Sequence, residues 1–254
     1  TIYKMQDIYI VGGYVRDKLM NISSNDIDFT FVINGEGKMD VSIEEGFSLM
    51  KSWLLNEGFA IFLETPEMVT IRAKFPRTDK YREYIGQTGD FVLARREVKY
   101  SDNSRRPDFV VGTLYDDLFR RDFTVNAIAM DMEGKLIDFF GGIEDIRGKI
   151  LRTPDDDPMR TMMDDPLRVL RALRFSVTKD FTICEPLMNA MRNDAILDKL
   201  FNVVSGDRIR EELTKMFKVS TVKTIRALID FGGDRFIERL FAKGLWLKPT
   251  TEKR

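Results

Sequence analysis

Residues 12–28 read GGYVRDKLMNISSNDID. A short apolar run, Ile8-Tyr9-Ile10-Val11, leads into the double glycine, and Asp26 opens a second run, DIDFTFVI. Both are rich in β-branched and aromatic residues, which predicts strands on either side of a helix carrying Tyr14 to Met20. On a strand, Asp26 and Asp28 point to the same face. Two carboxylates on one face supply hard oxygen ligands for a magnesium ion that also holds substrate phosphates. Gly12 and Gly13 lack Cβ atoms, so the backbone can bend sharply there and approach a phosphate at the start of the helix.

The composition narrows the chemistry. The chain has 254 residues with 43% hydrophobic content, enough for one large packed domain or two smaller ones. It contains no histidine. Histidine metal sites, Ser-His and Cys-His pairs and histidine general bases are thereby excluded, leaving carboxylates as the obvious catalytic groups. The single cysteine, Cys184, rules out an internal disulfide and suits a reducing, cytoplasmic setting as a small apolar filler. No apolar run approaches the length of a membrane span and no signal-peptide core is present, so no membrane anchoring or export is expected. The net charge of −1, from 40 basic and 41 acidic side chains, gives no overall sign of a nucleic-acid partner. Basic residues nevertheless gather in ARREVKYSDNSRRP, LFRRDF and LRVLRALRF, where local phosphate-binding patches would lie; solvated faces account for most individual Lys and Arg residues.

Along the chain, Ser42 and Glu45 have the spacing of a capping box, and Phe47, Met50 and Leu54 continue at helical spacing up to Gly58. FAIFL and MVTIRAKF read as paired strands and DFVLARREV as another, opened by Asp90. The segments 77–89 and 101–111 are polar and contain Gly or Pro, as surface loops do. AIAMDMEGKLIDFFGG reads as a hairpin around EGK that closes the sheet domain. From there the sequence turns helical. In MMDDPLRVLRALRF, Leu167, Leu170 and Leu173 form a core stripe beside Arg168, Arg171 and Arg174, and Asp165 and Arg168, three apart, share one predicted helix face.

The ordered combination of strand, Gly-Gly, helix with Arg16 and Asp17, and strand with Asp26 and Asp28 resembles the first motif of the class II tRNA nucleotidyltransferase and bacterial poly(A) polymerase family, within the polymerase-β-like superfamily. Asn21 stands where that family usually has glycine, and asparagine is the next-best residue for a left-handed position after a helix. LFRRDFTVNAIAM resembles the family's RRDFTxNA motif, and MMDDPLR its EDxxR motif with Asp164 in place of Glu. VVSGDRIREELTKMF resembles the last shared motif, with Ser205 or Asp207 as a cap and Glu211 and Arg208 bracing a helical neck.

The resemblance, over about residues 8 to 218, implies an α+β protein. A small mixed-sheet nucleotidyltransferase head with flanking helices (1–140) would precede an all-helical neck and partial body (141–254) that reads the base and binds RNA. It implies catalytic carboxylates at Asp26, Asp28 and Asp90, with Mg²⁺ held by Asp26 and Asp28. Gly12, Gly13, Arg16, Asp17, Arg121, Asp122 and Asn126 would hold nucleotide phosphates and ribose, and Asp165, Arg168 and Asp164 would recognise the base. A flexible specificity loop would lie in 77–89 or 101–111. The implied reaction is template-independent addition of C, C and A to a tRNA 3′ end from CTP and ATP. A poly(A) polymerase, an enzyme adding only part of CCA, and a catalytically silent nucleotide- or RNA-binding module are the alternatives. Full-length relatives continue into body and tail regions that grip tRNA, so RNA binding by this chain is expected to be weak, with a shallow salt dependence.

Overall fold

A computed structural model of the chain describes residues 5–34, 41–98 and 108–245. The chain divides into two units, Thr1–Ile146 and Arg147–Arg254. The division falls after Ile146 rather than after 140. Residues 142–146 of the helix that follows the Gly-Gly break lie in the first unit, where Thr124 Oγ1 donates to Asp145 Oδ2 at 2.6 Å.

In the first unit β1 (Met5–Val11), α1 (Gly13–Leu19) and β2 (Asp28–Asn34) lead to α2 (Ile43–Asn56). A hairpin of β3 (Ala60–Thr65) and β4 (Thr70–Lys74) follows, then β5 (Thr88–Leu93). β6 (Arg95–Val98) pairs with β7 (Asp108–Val111) in a separate two-stranded sheet, and α3 (Leu114–Phe119), β8 (Ala129–Met130), β9 (Leu136–Ile137) and α4 (Gly142–Gly148) complete the order. The main sheet runs β3-β4-β5-β2-β1-β8-β9, antiparallel except for the parallel pair β2–β5. DFVLARREV is therefore two strands, broken at Ala94, and Asp90 is the third residue of β5 rather than its first.

β2 sits at the centre of the sheet and is buried on both faces from Phe29 to Ile33. This is why it reads as an unbroken apolar run. One face carries an aromatic layer in which Phe29 stacks on Phe91 at 4.9 Å and Phe59, Phe75, Tyr81 and Tyr84 close around them. α2 packs at such close range that a Cβ on Gly46 would lie 2.8 Å from Leu93 of β5 and 2.4 Å from Val111 of β7. The other face packs Val11, Val32 and Ala129 against Leu114 and Leu118 of α3. Ser42 caps α2 by accepting from the Glu45 amide at 3.2 Å, while Thr113 and Asp116 make the reciprocal capping box of α3.

The segment 77–89 is not an open loop. It forms a 3-10 turn over Asp79–Tyr84 whose Tyr81 is fully buried and donates to Glu57 at 2.8 Å. Of the other proposed loop, residues 101–107 lie outside the described residues and the remainder is β7.

The second unit is helical. Two two-residue strands, β10 (Ile150–Leu151) and β11 (Thr182–Ile183), pair in parallel. Around them stand α5 (Pro158–Asp164), α6 (Leu167–Lys179), α7 (Glu185–Met191), α8 (Asp194–Val203), α9 (Gly206–Val219) and α10 (Thr221–Ala242). Leu167, Leu170 and Leu173 are buried as the stripe predicts. α6 and α9 are tied by Glu212, which is 4% exposed and accepts from Arg174, with Arg171 at 3.8 Å. Glu212, not Glu211, is thus the brace; Glu211 pairs with Lys215 at the surface. α10 bends at Gly233, whose φ of 62° and ψ of −160° leave the helical region.

Candidate active site

The β2–β5 register sets Asp28 directly beside Asp90, and β1–β2 sets Val11 beside Asp28. The turn after β1 therefore delivers Gly12 to the same sheet end as both carboxylates. Gly12 has φ of 74°, and a Cβ there would stand 3.4 Å from Arg121 Nη1 and 3.8 Å from Asp28 Oδ2. A side chain at Gly12 would be strained and would fill the space between these charged groups.

Asp26 lies two residues before the strand, which begins at Asp28. The alternation survives nonetheless: Asp26 and Asp28 are exposed on either side of buried Ile27. Although Asp28 as a residue is exposed, neighbouring protein crowds its carboxyl. Partial burial raises its pKa, Arg121 opposes the rise, and Asp90 and Asp26 add to it. Asp28 thus feels both neighbouring carboxylates. Among the described residues no cluster of three acidic, Cys or His side chains forms a ready metal cage. Two carboxylates with solvent access suit Mg²⁺, which keeps several waters and shares its coordination with substrate phosphates. Asp90 is otherwise engaged: Arg72 Nε and Nη2 donate to its Oδ1 and Oδ2 at 2.7 and 2.9 Å.

Arg121 is held from below. Its Nη2 donates to Asp117 Oδ2 at 3.1 Å, Arg120 Nη2 donates to Asp117 Oδ1 at 3.1 Å, and Thr30 Oγ1 donates to Asp117 Oδ2 at 3.1 Å. Burial would raise the Asp117 pKa, but the two guanidiniums outweigh it and hold the carboxyl below its ordinary value. Arg121 Nε is buried without a hydrogen-bond partner in the chain, a donor that a phosphate oxygen would satisfy.

Four other residues expected around phosphate and ribose, Arg16, Asp17, Asp122 and Asn126, form a buried strut. Arg16 Nε and Nη2 donate to Asp17 Oδ1 at 3.0 and 2.9 Å, and Arg16 Nη1 donates to Asn126 Oδ1 at 2.6 Å. Asn126 Nδ2 in turn donates to Asp122 Oδ1 at 3.0 Å. All four side chains are buried, so they lock α1 onto the 3-10 turn Thr124–Asn126 and hold Gly12 and Arg121 in place. Gly13 is the first residue of α1, over the Arg16 guanidinium.

The base-reading set lies in the second unit. Asp165 is not on a helix face with Arg168: Pro166 follows it, and a residue before proline is driven to the extended region. Its φ of −147° and ψ of 98° place it between α5 and α6. Arg208 Nη1 and Nη2 donate to the Asp165 carboxylate at 3.3 and 2.8 Å, and Arg168 Nη1 donates to Thr161 O at 3.0 Å. Asp164 ends α5 and is exposed. Arg208 therefore braces Asp165, a role that its sequence position did not show. Asp117 was also missed, although its spacing of four from Arg121 is an ion-pair signal on a helix.

A seven-stranded mixed sheet with paired aspartates beside a Gly-Gly turn and a buttressed arginine defines a nucleotidyltransferase-type head. Residues 8–152 match the family model of the poly A polymerase head domain, and the chain belongs to that family. A CCA-adding enzyme of Lactobacillus helveticus is 33% identical over 212 residues, covering 83% of this chain and 46% of that protein. The mitochondrial CCA tRNA nucleotidyltransferase of Saccharomyces cerevisiae is 34% identical over 215 residues, covering 82% and 37%. Among solved structures, the Thermotoga maritima CCA-adding enzyme complexed with tRNA matches with a TM-score of 0.67 at 27% identity, covering 94% of this chain and 49% of that one. The Bacillus stearothermophilus CCA-adding enzyme in complex with CTP gives 0.66 at 26%, covering 90% and 48%. The chain thus spans half or less of these proteins. No helix among the described residues is long and apolar enough to cross a membrane.

Proposed function

We propose that the chain carries the catalytic part of a template-independent RNA nucleotidyltransferase that adds C and A to tRNA 3′ ends from CTP and ATP in the cytoplasm. The observation that carries this reading is the side-by-side register of Asp28 and Asp90 next to Gly12 and Arg121. The relatives named CCA-adding enzyme, one complexed with tRNA and one with CTP, support the choice of substrates.

Asp26 and Asp28 would hold Mg²⁺. When bound, the ion lowers the pKa of the RNA 3′-hydroxyl and offsets charge at the α-phosphate. The chain's own residues do the rest. Gly12 leaves room for a phosphate, Arg121 offers it a charge-assisted hydrogen bond, and Asp117 keeps Arg121 aimed. The 3′-oxygen bonds to the α-phosphorus, the bond to pyrophosphate breaks, and the hydroxyl proton passes to solvent. In the second unit, Asp165 accepts the exocyclic amine of cytosine or adenine and Arg168 donates to the adjacent ring nitrogen.

Incubation with tRNA lacking its 3′ CCA and each labelled nucleotide separately, then with CTP and ATP together, tests the reading. Addition of C from CTP followed by A from ATP is expected. Repeated addition from ATP alone would make the protein a poly(A) polymerase, and no incorporation at all would make it a silent binding module.

A further inference from the structure

One row across three strands of the sheet reads Arg72, Asp90, Asp28: the antiparallel β4–β5 register opposes Arg72 to Asp90, and the parallel β5–β2 register opposes Asp90 to Asp28. Arg72 grips Asp90 with a two-pronged fork at 2.7 and 2.9 Å and also lies within electrostatic reach of Asp26. Both Asp90 oxygens are therefore satisfied and its charge is matched by a guanidinium, the geometry in which arginine binds carboxylate best.

Resting on the reading of Asp26 and Asp28 as metal ligands, we propose that Arg72 is a positioning residue that keeps Asp90 out of metal coordination until a nucleotide binds. Three carboxylates at one strand end repel one another, and Arg72 cancels one of them in the nucleotide-free protein. Its side chain is 48% exposed and that of Asp90 34%, so the pair is solvent-screened and can open. An arriving triphosphate is a second bidentate partner for the guanidinium. Exchanging carboxylate for phosphate keeps the charge of Arg72 paired and frees Asp90 to join Asp26 and Asp28.

Mn²⁺ is the probe, with its free concentration followed by electron paramagnetic resonance. In nucleotide-free protein, Arg72→Gln should tighten Mn²⁺ binding by about tenfold, the size of effect usual for partners of metal ligands. Wild type and the charge-matched double variant Arg72→Gln/Asp90→Asn should bind Mn²⁺ alike without nucleotide. With a non-hydrolysable CTP analogue present, wild type should bind Mn²⁺ about tenfold more tightly than Asp90→Asn, which keeps Arg72 for the triphosphate but has no Asp90 carboxylate to contribute. If Arg72→Gln binds Mn²⁺ no better than wild type, or the double variant stays as tight as the single one, the latch is refuted. Equal binding by wild type and Asp90→Asn with the analogue would refute it too. Asp28→Asn separates the two claims: Mn²⁺ binding undiminished in that variant removes the metal site itself, whatever Arg72 does.

Discussion

Asp28 and Asp90 are register partners on the one parallel strand pair of the main sheet, so two carboxylates far apart in sequence stand side by side at a single sheet end. Burial of the Asp28 carboxyl, opposed by Arg121 and added to by Asp90 and Asp26, is a cost to the folded protein.

The cost is measurable through pH. The pKa of Asp28 is raised on folding, so the folded protein holds this proton more tightly than the unfolded chain. Stability falls as pH rises from the ordinary carboxyl value of 3.8 through the raised folded value, and above it the penalty is constant. Asp28→Asn should therefore raise the melting temperature of the metal-free protein at neutral pH, with the difference shrinking at acid pH. Thermal scans across pH check this, and a gain that grew toward acid pH would contradict the sign.

Asp117 has the opposite balance. Removing its charge leaves Arg120 and Arg121 without their shared counter-ion beside a nearly inaccessible position. Asp117→Asn should destabilise the first unit by about 3–5 kcal/mol and weaken nucleotide binding through a misplaced Arg121. Urea unfolding and nucleotide titration measure the two effects independently.

Glu212 is the equivalent tie in the second unit, joining α9 to Arg174 and Arg171 of α6. Glu212→Ala should cost about 2 kcal/mol or more, since hydrogen bonds to charged groups are among the strong ones. Glu211→Ala, at an exposed position, should cost a few tenths of a kcal/mol. Parallel denaturation curves of the two variants give the contrast.

Base choice supplies another test. Carboxylate only accepts and guanidinium only donates, a match for cytosine and adenine and a mismatch for uracil and guanine. CTP and ATP should be used and UTP and GTP refused by on the order of 10⁴-fold, as in sites built around buried hydrogen bonds. Asp165→Ala with Arg168→Ala should relax that preference, and Arg208→Ala should relax it in part by freeing Asp165. An unchanged preference in the double variant would place base reading elsewhere.

The local features were legible because their causes are local. Strands flank Gly12 as their β-branched runs predict, and Asn21 adopts φ of 57°, the left-handed position expected of it. Gly58 ends α2 with φ of 91°, and EGK turns a hairpin between β8 and β9. The errors have physical reasons as well. The three-residue spacing of Asp165 and Arg168 suggests a shared helix face, but Pro166 disfavours the helical region for Asp165, and the unbroken apolar run through Ala94 conceals a change of sheet. Arg72 on Asp90 and Thr30 on Asp117 are separated by 18 and 87 residues, and only strand register and helix packing bring them together. The acid pair at 211–212 differs only in helix phase, and burial against α6 selects Glu212.

Asp28 is proposed to serve the transfer step and not the fold. Incorporation of labelled CTP into tRNA lacking its 3′ CCA, compared between wild type and Asp28→Ala, tests it most directly. A loss of roughly 10³-fold or more is expected in an Asp28→Ala protein whose circular dichroism and melting temperature are at least those of wild type. Incorporation at the wild-type rate by that folded variant would contradict it.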